Sequence, residues 1–461
     1  MKNYKKLLAL GLSVAMIAGL TACGDSEEAP AAAPAATSTS TGSNEPRTIR
    51  LGTWYDRYYD STNTDIYENP AAVGSDRDYA SFDVVKEIEE KYNIRFEFVN
   101  LTWTGIQDSL NTSVLAGTPD CDIYEVDFQF GIAAALNGFA VNLEDILPAD
   151  SDIFNDQLVL YPVDVGTDSG VYIFNRSMAE NVLANTYMLA YNKKMLDDAG
   201  LEDPRALYER GEWTWDKWRE YMLALTQDTD GDGVTDVYGF GSRYDFLLDQ
   251  MLMSNGTGIA TGETENLSSP EVGEVLDFIY NMYNVDHVAY PWNEDDFDSN
   301  MLNYQDGKTA FWMEAAWISA PNGYNDAALG FDIVWCHFPV GPSGNQETNA
   351  TKIVSSGSGY MIPVGVEDPE LVYNVFYDYM NWYHGDTSLR DSDMTWWEDS
   401  ALTEDNYRIM EETGARGGFD LWNGLGVDWK FAELLNGTVT AAQFAEMHKQ
   451  EVQDALDGFY K

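Results

Sequence analysis

Thr48-Ile49-Arg50-Leu51-Gly52-Thr53-Trp54 reads as a strand, and the residues that follow it as far as Asp127 decide the fold. Phe82-Asp83-Val84-Val85-Lys86-Glu87-Ile88-Glu89-Glu90-Lys91-Tyr92 spaces its apolar residues as one face of a helix. Ile94, Phe96 and Phe98 then alternate as a half-buried strand requires. Trp103 to Leu115 has a helical pattern, Gly117-Thr118-Pro119 breaks it, and Asp122-Ile123-Tyr124-Glu125-Val126 is strand-like again. The order βαβαβ predicts an α/β fold built on a mainly parallel sheet covered by helices. Ligands of such sheets meet the loops at the carboxyl ends of the strands. Trp54, Tyr55, Asp56, Asp127 and Phe128 are therefore candidate ligand contacts.

Upstream, Lys2, Lys5 and Lys6 precede an uncharged apolar run from Leu7 to Leu20. That run is shorter than the roughly 20 residues of a membrane span and has the form of a signal peptide over residues 1–22. Leu20-Thr21-Ala22-Cys23 resembles a bacterial lipobox, which implies cleavage before Cys23 and a lipid on its sulfur; an ordinary signal peptide containing a cysteine is the other reading. Residues 23–46 are mostly Ala, Pro, Ser, Thr and Gly and read as a disordered tether. The expected location is extracytoplasmic, with the membrane touched only through the lipid anchor.

The 77 acidic residues outnumber the 26 basic ones, for a formal charge of −51. A body so acidic repels nucleic acid and anionic lipid headgroups, which argues against nucleic-acid binding. Cys121 and Cys336 sit in apolar, strand-like runs and read as buried free thiols.

A second α/β unit follows Val171-Tyr172-Ile173-Phe174. Thr186-Tyr187-Met188-Leu189-Ala190-Tyr191 is strand-like, and Asn192 to Leu201 is a helix stopped at Gly200. The ordered set "YNKKMLDDAGLEDP", "GEWTWDKWREYMLALTQDTDGDGVTDVYGFG", "YQDGKTAFWMEAAW" and "GSGYMIPVGVEDPELVYNVFYDYMNW" resembles the extracellular solute-binding proteins of ABC importers, in their maltose-binding-protein-like branch. The resemblance implies a periplasmic-binding-protein-like fold: two α/β lobes joined by a multi-segment hinge, with a ligand cleft between them. It maps lobe one to residues 47–182 plus 353–395 and lobe two to 183–352 plus 396–461. It further implies a monomer whose partners are a membrane permease and its ATPase subunits.

Asp228-Thr229-Asp230-Gly231-Asp232-Gly233-Val234-Thr235-Asp236 has the front half of a calcium loop, with acids at positions one, three, five and nine and glycine at six. Asp228, Asp230, Asp232 and Asp236, with the Val234 carbonyl, are candidate ligands for a structural calcium ion. Position twelve is Gly239, so the bidentate glutamate of an EF-hand is missing, and an unmetallated Asp-Gly turn is the alternative. No catalytic cofactor is expected.

The solute class rests on aromatic residues outside periodic stripes, because flat rings suit the C–H faces of sugars while carboxylates and amides pair with hydroxyls. Tyr187 at the crossing between lobes, Trp317, Trp396, Trp397 and Trp422 join the candidate contacts. Trp317 matches a sugar-stacking tryptophan of the resembled branch; a lobe-two core residue is the alternative. Trp215, Trp218, Met222 and Leu225 recur at helical spacing after the N-cap Thr214 and read as core. The expected function is capture of a carbohydrate, an oligosaccharide, for import, without enzymatic turnover. A glycoside hydrolase, a binding protein for a peptide or other neutral solute, and a calcium-dependent adhesion module stand as alternatives. No G-x-S-x-G or H-E-x-x-H motif occurs, and four histidines leave little for zinc or triad chemistry. Two of the four, His384 and His448, read as surface residues.

Overall fold

In the computed structural model, the described residues are 45–54, 76–155, 162–165, 168–176, 186–319, 329–347, 349, 358–386, 388, 401–416, 425 and 427–460. Pro46 to Lys461 forms one compact unit built around two four-stranded sheets. The strands are β1 (Arg47–Thr53), β2 (Ile94–Asn100), β3 (Ile123–Asp127), β4 (Pro162–Val165), β5 (Asp168–Val171), β6 (Tyr187–Asn192), β7 (Tyr238–Phe240), β8 (Ala260–Thr261), β9 (Thr264–Glu265), β10 (Thr309–Ala315), β11 (Ile333–Cys336) and β12 (Ser358–Met361).

The first sheet runs β12-β3-β1-β2, with β1 parallel to both β2 and β3. Ile49, Leu51, Phe96, Ile123 and Val126 have no exposed surface, because helices cover both faces. Val84, Val85 and Ile88 of the helix Asp76–Tyr92 share a core with Val372, Val375 and Phe376 of the helix Pro369–Met380. Opposite, Ile106, Leu110, Val114 and Ile132 pack on Tyr124 and Val126.

Three local expectations change. The first helix starts at Asp76 rather than Phe82. The segment read as a helix from Trp103 to Leu115 is α-helical over Trp103–Ser109 and then loosens into a π-turn, Leu110–Val114. The Oγ of Ser113 donates to the Ser109 carbonyl at 2.8 Å and the Oγ1 of Thr112 to the Asp108 carbonyl at 2.6 Å, so side chains compete with the helical ladder there. The sheet also gains an antiparallel member, since β12 pairs with β3 with Ser358 opposite Asp127. The carboxyl ends of β1, β2 and β3 and the amino end of β12 thus share one edge.

In the second sheet, ordered β11-β6-β10-β7, β6 runs against both neighbours while β7 and β10 are parallel. The carboxyl ends of β7, β10 and β11 and the amino end of β6 again share an edge. Asn192 caps the helix Lys193–Ala199 by accepting from the Met195 N–H, and Gly200, at φ 68°, ends it in a left-handed turn that glycine adopts without strain. Thr214 caps the helix Trp215–Leu225 through the Lys217 N–H, and Trp215, Trp218, Met222 and Leu225 are buried as their spacing predicts. Gly239 lets β7 approach that helix: a Cβ there would stand 2.5 Å from the Met222 backbone.

Cys121 and Cys336 are buried free thiols, and burial pushes the Cys121 thiol up to about 12. His384 is exposed, but His448 is not. On the helix Ala441–Tyr460, Phe444, His448, Val452 and Leu456 recur every four residues and form the inward stripe, so His448 packs on Trp429 and Phe444.

Candidate functional site

At the edge of the first sheet, Trp54 follows β1, and the Leu101 N–H donates to the Thr53 carbonyl at 2.9 Å, which keeps the two strand ends together. That pairing sets Trp103, just past β2, against Trp54 edge to face, with centroids 5.5 Å apart and planes at 77°. Phe130, past β3, meets Trp103 at 5.1 Å and 83°. All three rings are half-buried, so each keeps surface for a ligand. Trp103 and Phe130 are additions to the candidates. The rule that selected Trp54 also selects Trp103, had its place after a strand been weighed above its place in a helix.

The turn carrying Trp103 is strained. Thr102 has φ 66° and ψ 163°, a region that costs a side-chain-bearing residue about 1–3 kcal/mol. Its N–H donates to Oδ1 of Asn100 at 2.9 Å, and its Oγ1 accepts from the Gly105 N–H at 3.2 Å.

Carboxylates lie towards the same end of β3, on the sheet face opposite Tyr124 and Val126, against whose cluster Trp54 and Phe130 pack. Asp127 ends β3 and is 3% exposed; Glu125, two residues earlier on the same face, accepts from the Ser358 hydroxyl at 3.5 Å. Asn175 donates to the Ser358 carbonyl at 3.4 Å. This edge therefore combines apolar ring surface with oxygen acceptors, as a hydroxylated, uncharged ligand would need.

At the edge of the second sheet, Tyr187 begins β6 but is fully buried, stacked on Phe246 at 4.4 Å. Past β7, Arg243 forks onto Asp245 at 3.0 and 2.6 Å and lies over the Phe246 ring. Tyr244 stands edge-on to Trp292 at 4.8 Å, both half-buried. Near the end of β10, Glu314 has no exposed surface and accepts from Nε1 of Trp312 at 2.9 Å. Trp312 in turn stacks on Tyr304 at 4.2 Å.

Burial pushes the Glu314 carboxyl up to about 7, against the opposing pull of the Trp312 indole N–H. Since the folded chain holds this proton to higher pH than the unfolded chain, stability falls as pH rises from about 4.5 towards 7 and then levels off. The full effect is on the order of 3 kcal/mol. Glu314→Gln is therefore expected to melt above the wild type at pH 8 and to match it near pH 4.5; a difference independent of pH would refute the assignment.

Trp317 lies on the short helix Ala316–Ser319 that follows β10, and Phe128 begins the helix Phe128–Leu136; their side chains lie outside the described set. Tyr55, Asp56, Trp396, Trp397, Trp422 and Cys23 also fall outside the described residues.

The acidic loop lies before β7, at the end of that strand away from Arg243. It brings carboxylate oxygens of Asp228, Asp230 and Asp236 within 4.8 Å of one another. Asp228 accepts from the Gly231 and Gly233 N–H groups, and Asp236 from the N–H and hydroxyl of Thr229, which hold its carboxyl below the usual range. Asp232 stands outside this trio, with Oδ1 accepting from the Val234 N–H at 2.7 Å. Three of the four acids thus converge as a hard-cation site requires.

Residues 72–388 match the family of bacterial extracellular solute-binding proteins. The chain belongs to that family. No curated protein sequence matches this solute-binding protein. Among solved structures it is similar to an ABC substrate-binding protein of Listeria monocytogenes in complex with cycloalternan, at 16% identity and a TM-score of 0.60, over 90% of this chain and 100% of that one. The GacH receptor of Streptomyces glaucescens, solved unliganded and with acarbose, is 14% identical with a TM-score of 0.59, over 90% and 100%. The maltose/maltodextrin-binding domain of Bdellovibrio bacteriovorus bound to maltotriose is 14% identical with a TM-score of 0.56, over 88% and 99%. The solute-binding protein therefore has the two-lobed, periplasmic-binding-protein-like α/β fold of these neighbours.

Proposed function

We propose that this protein is the surface-tethered receptor of an ABC importer, that it captures an oligosaccharide by closing its two lobes over it, and that it hands the sugar to a membrane permease. The observation that carries the reading is the ring set Trp54, Trp103 and Phe130, gathered past the carboxyl ends of β1, β2 and β3 where such folds take ligands. The neighbours solved with cycloalternan, acarbose and maltotriose point to the same solute class. Closure is selected because only the closed form touches the solute with both lobes.

Cys23 would carry the lipid and residues 23–46 the tether. Lobe one would comprise residues 47–182 plus 353–395 and lobe two 183–352 plus 396–461, acting as a monomer. Calorimetry of the mature protein against mono- and oligosaccharides, with a peptide panel alongside, tests the reading. Saturable binding of an oligosaccharide without turnover is expected. Binding confined to peptides, or hydrolysis of the glycan, would replace it.

The loop Asp228 to Asp236 would hold a calcium ion through Asp228, Asp230 and Asp236, with the Val234 carbonyl as a further oxygen. It would have a structural role, since the loop lies before β7, away from the candidate site. Chelation is expected to lower the melting temperature by several degrees, calcium to restore it, and Asp230→Asn to abolish the response with sugar affinity unchanged. A melting temperature indifferent to calcium would sink the assignment.

A further inference from the structure

We infer that Thr102 is a positioning residue: its left-handed, strained backbone fixes Trp103 against Trp54 and Phe130 as a preformed platform for the ligand. The inference rests on the sugar-receptor reading above and adds the device that holds its aromatic surface still. At φ 66° and ψ 163° glycine would sit without strain, yet the chain places a β-branched residue there. Side chains kept in such regions persist only where their surroundings over-determine them.

Those surroundings are on both sides of the turn. Upstream, Asn100 accepts from the Thr102 N–H through a side chain anchored at the end of β2, opposite Thr53. Downstream, the threonine hydroxyl accepts from the Gly105 N–H and the Thr102 carbonyl from the Ile106 N–H. Gly105 leaves room for this, since a Cβ there would stand 3.1 Å from the Thr102 hydroxyl oxygen. The far end of the same short helix is clamped as well. The Ser109 hydroxyl lies 2.8 Å from the Tyr124 hydroxyl on β3 and donates to Asp120 at 2.7 Å, while Ile106 is fully buried beneath it.

Trp103, the first residue of this helix, is thus carried on a segment tied to β2 at one end and β3 at the other. Its side chain has few ways to move, so ordering it on ligand binding costs little. A capping role alone does not account for the choice of conformation: Thr214 and Asn192 cap from extended backbone and Asp368 from the left-handed helical well, whereas ψ 163° puts Thr102 in a region that is essentially glycine's alone.

The test uses the full mature protein labelled with 5-fluorotryptophan, with the Trp103 resonance assigned through Trp103→Phe. Thr102→Gly is expected to broaden or shift the Trp103 and Trp54 fluorine signals and to leave the melting temperature little changed, because glycine replaces a cap at small cost. Affinity for an oligosaccharide that the wild type binds is expected to fall about tenfold. Thr102→Ser, which keeps the hydroxyl, is expected to preserve the Trp103 signal. An unchanged Trp103 signal in Thr102→Gly would overturn the inference, and so would a large loss of melting temperature with that signal intact. If the wild type binds no sugar, the receptor reading fails by itself and the fluorine signals still decide the role of Thr102.

Discussion

Trp218→Ala is expected to destabilise the protein by about 3–5 kcal/mol, the range for truncating a large buried aromatic. Trp218 has no exposed surface and sits among Phe338 at 5.2 Å, Phe240 at 5.5 Å, Phe278 at 6.0 Å and Phe311 at 6.4 Å. These rings come from two strands, a helix and one further segment, so a hole at their centre cannot be closed by one element shifting. The cavity term therefore adds to the lost transfer free energy. At 2–4 °C per kcal/mol for a domain of this size, the melting temperature is expected to fall by about 10 °C. Trp218→Phe separates ring burial from polar effects. The indole Nε1 has no hydrogen-bond partner among the described residues, so phenylalanine gives up volume alone and is expected to cost less than half as much. A loss below about 1 kcal/mol for Trp218→Ala would show that the surrounding rings collapse into the space.

The Trp215–Leu225 helix was legible in the sequence because everything that makes it is local: the Thr214 cap and apolar residues at helical spacing. The same is true of β1, β2 and β3, whose alternation or aliphatic content is written within five to seven residues. β12 was not legible as a neighbour of β3. Four residues carry little register information, and their partners Asp127 to Tyr124 lie far away in the chain, where no local pattern links the two. The π-turn after Ser109 was hidden for a related reason: hydroxyls at Thr112 and Ser113 take carbonyls that periodicity assigns to the helix.

For the site, Trp54 followed from the strand-end rule, but Trp103 read as an ordinary helix residue because its strained N-cap has no sequence signature. Tyr187 illustrates the opposite case. Its position at the crossing suggested a ligand contact, yet the stack on Phe246 leaves it no exposed surface. Glu314 passed unremarked because a single acid among apolar residues signals burial only once the strand's neighbours are known.

Trp103→Ala is expected to weaken oligosaccharide binding by about 10- to 100-fold, or roughly 1.4–2.8 kcal/mol. Aromatic anchors at the centre of a ligand surface account for losses of this size. Here Trp103 is the central ring of three, touching Trp54 on one side and Phe130 on the other. Its removal takes away its own contact area and also frees both neighbours from their edge-to-face partner. Trp54→Ala removes a ring with one such partner and is expected to cost less. The double variant is expected to lose less than the sum of the two, because the shared contact is counted in each single change. Stability is expected to drop by only about 1 kcal/mol, since the ring is half-exposed. Calorimetry beside thermal melts separates the two roles. A ligand-contacting ring lowers affinity far more than melting temperature, whereas a packing ring does the reverse. Unchanged affinity in Trp103→Ala would move the binding surface away from the ends of β1 and β2 and leave the second-sheet pair Tyr244 and Trp292 as the aromatic face to test next.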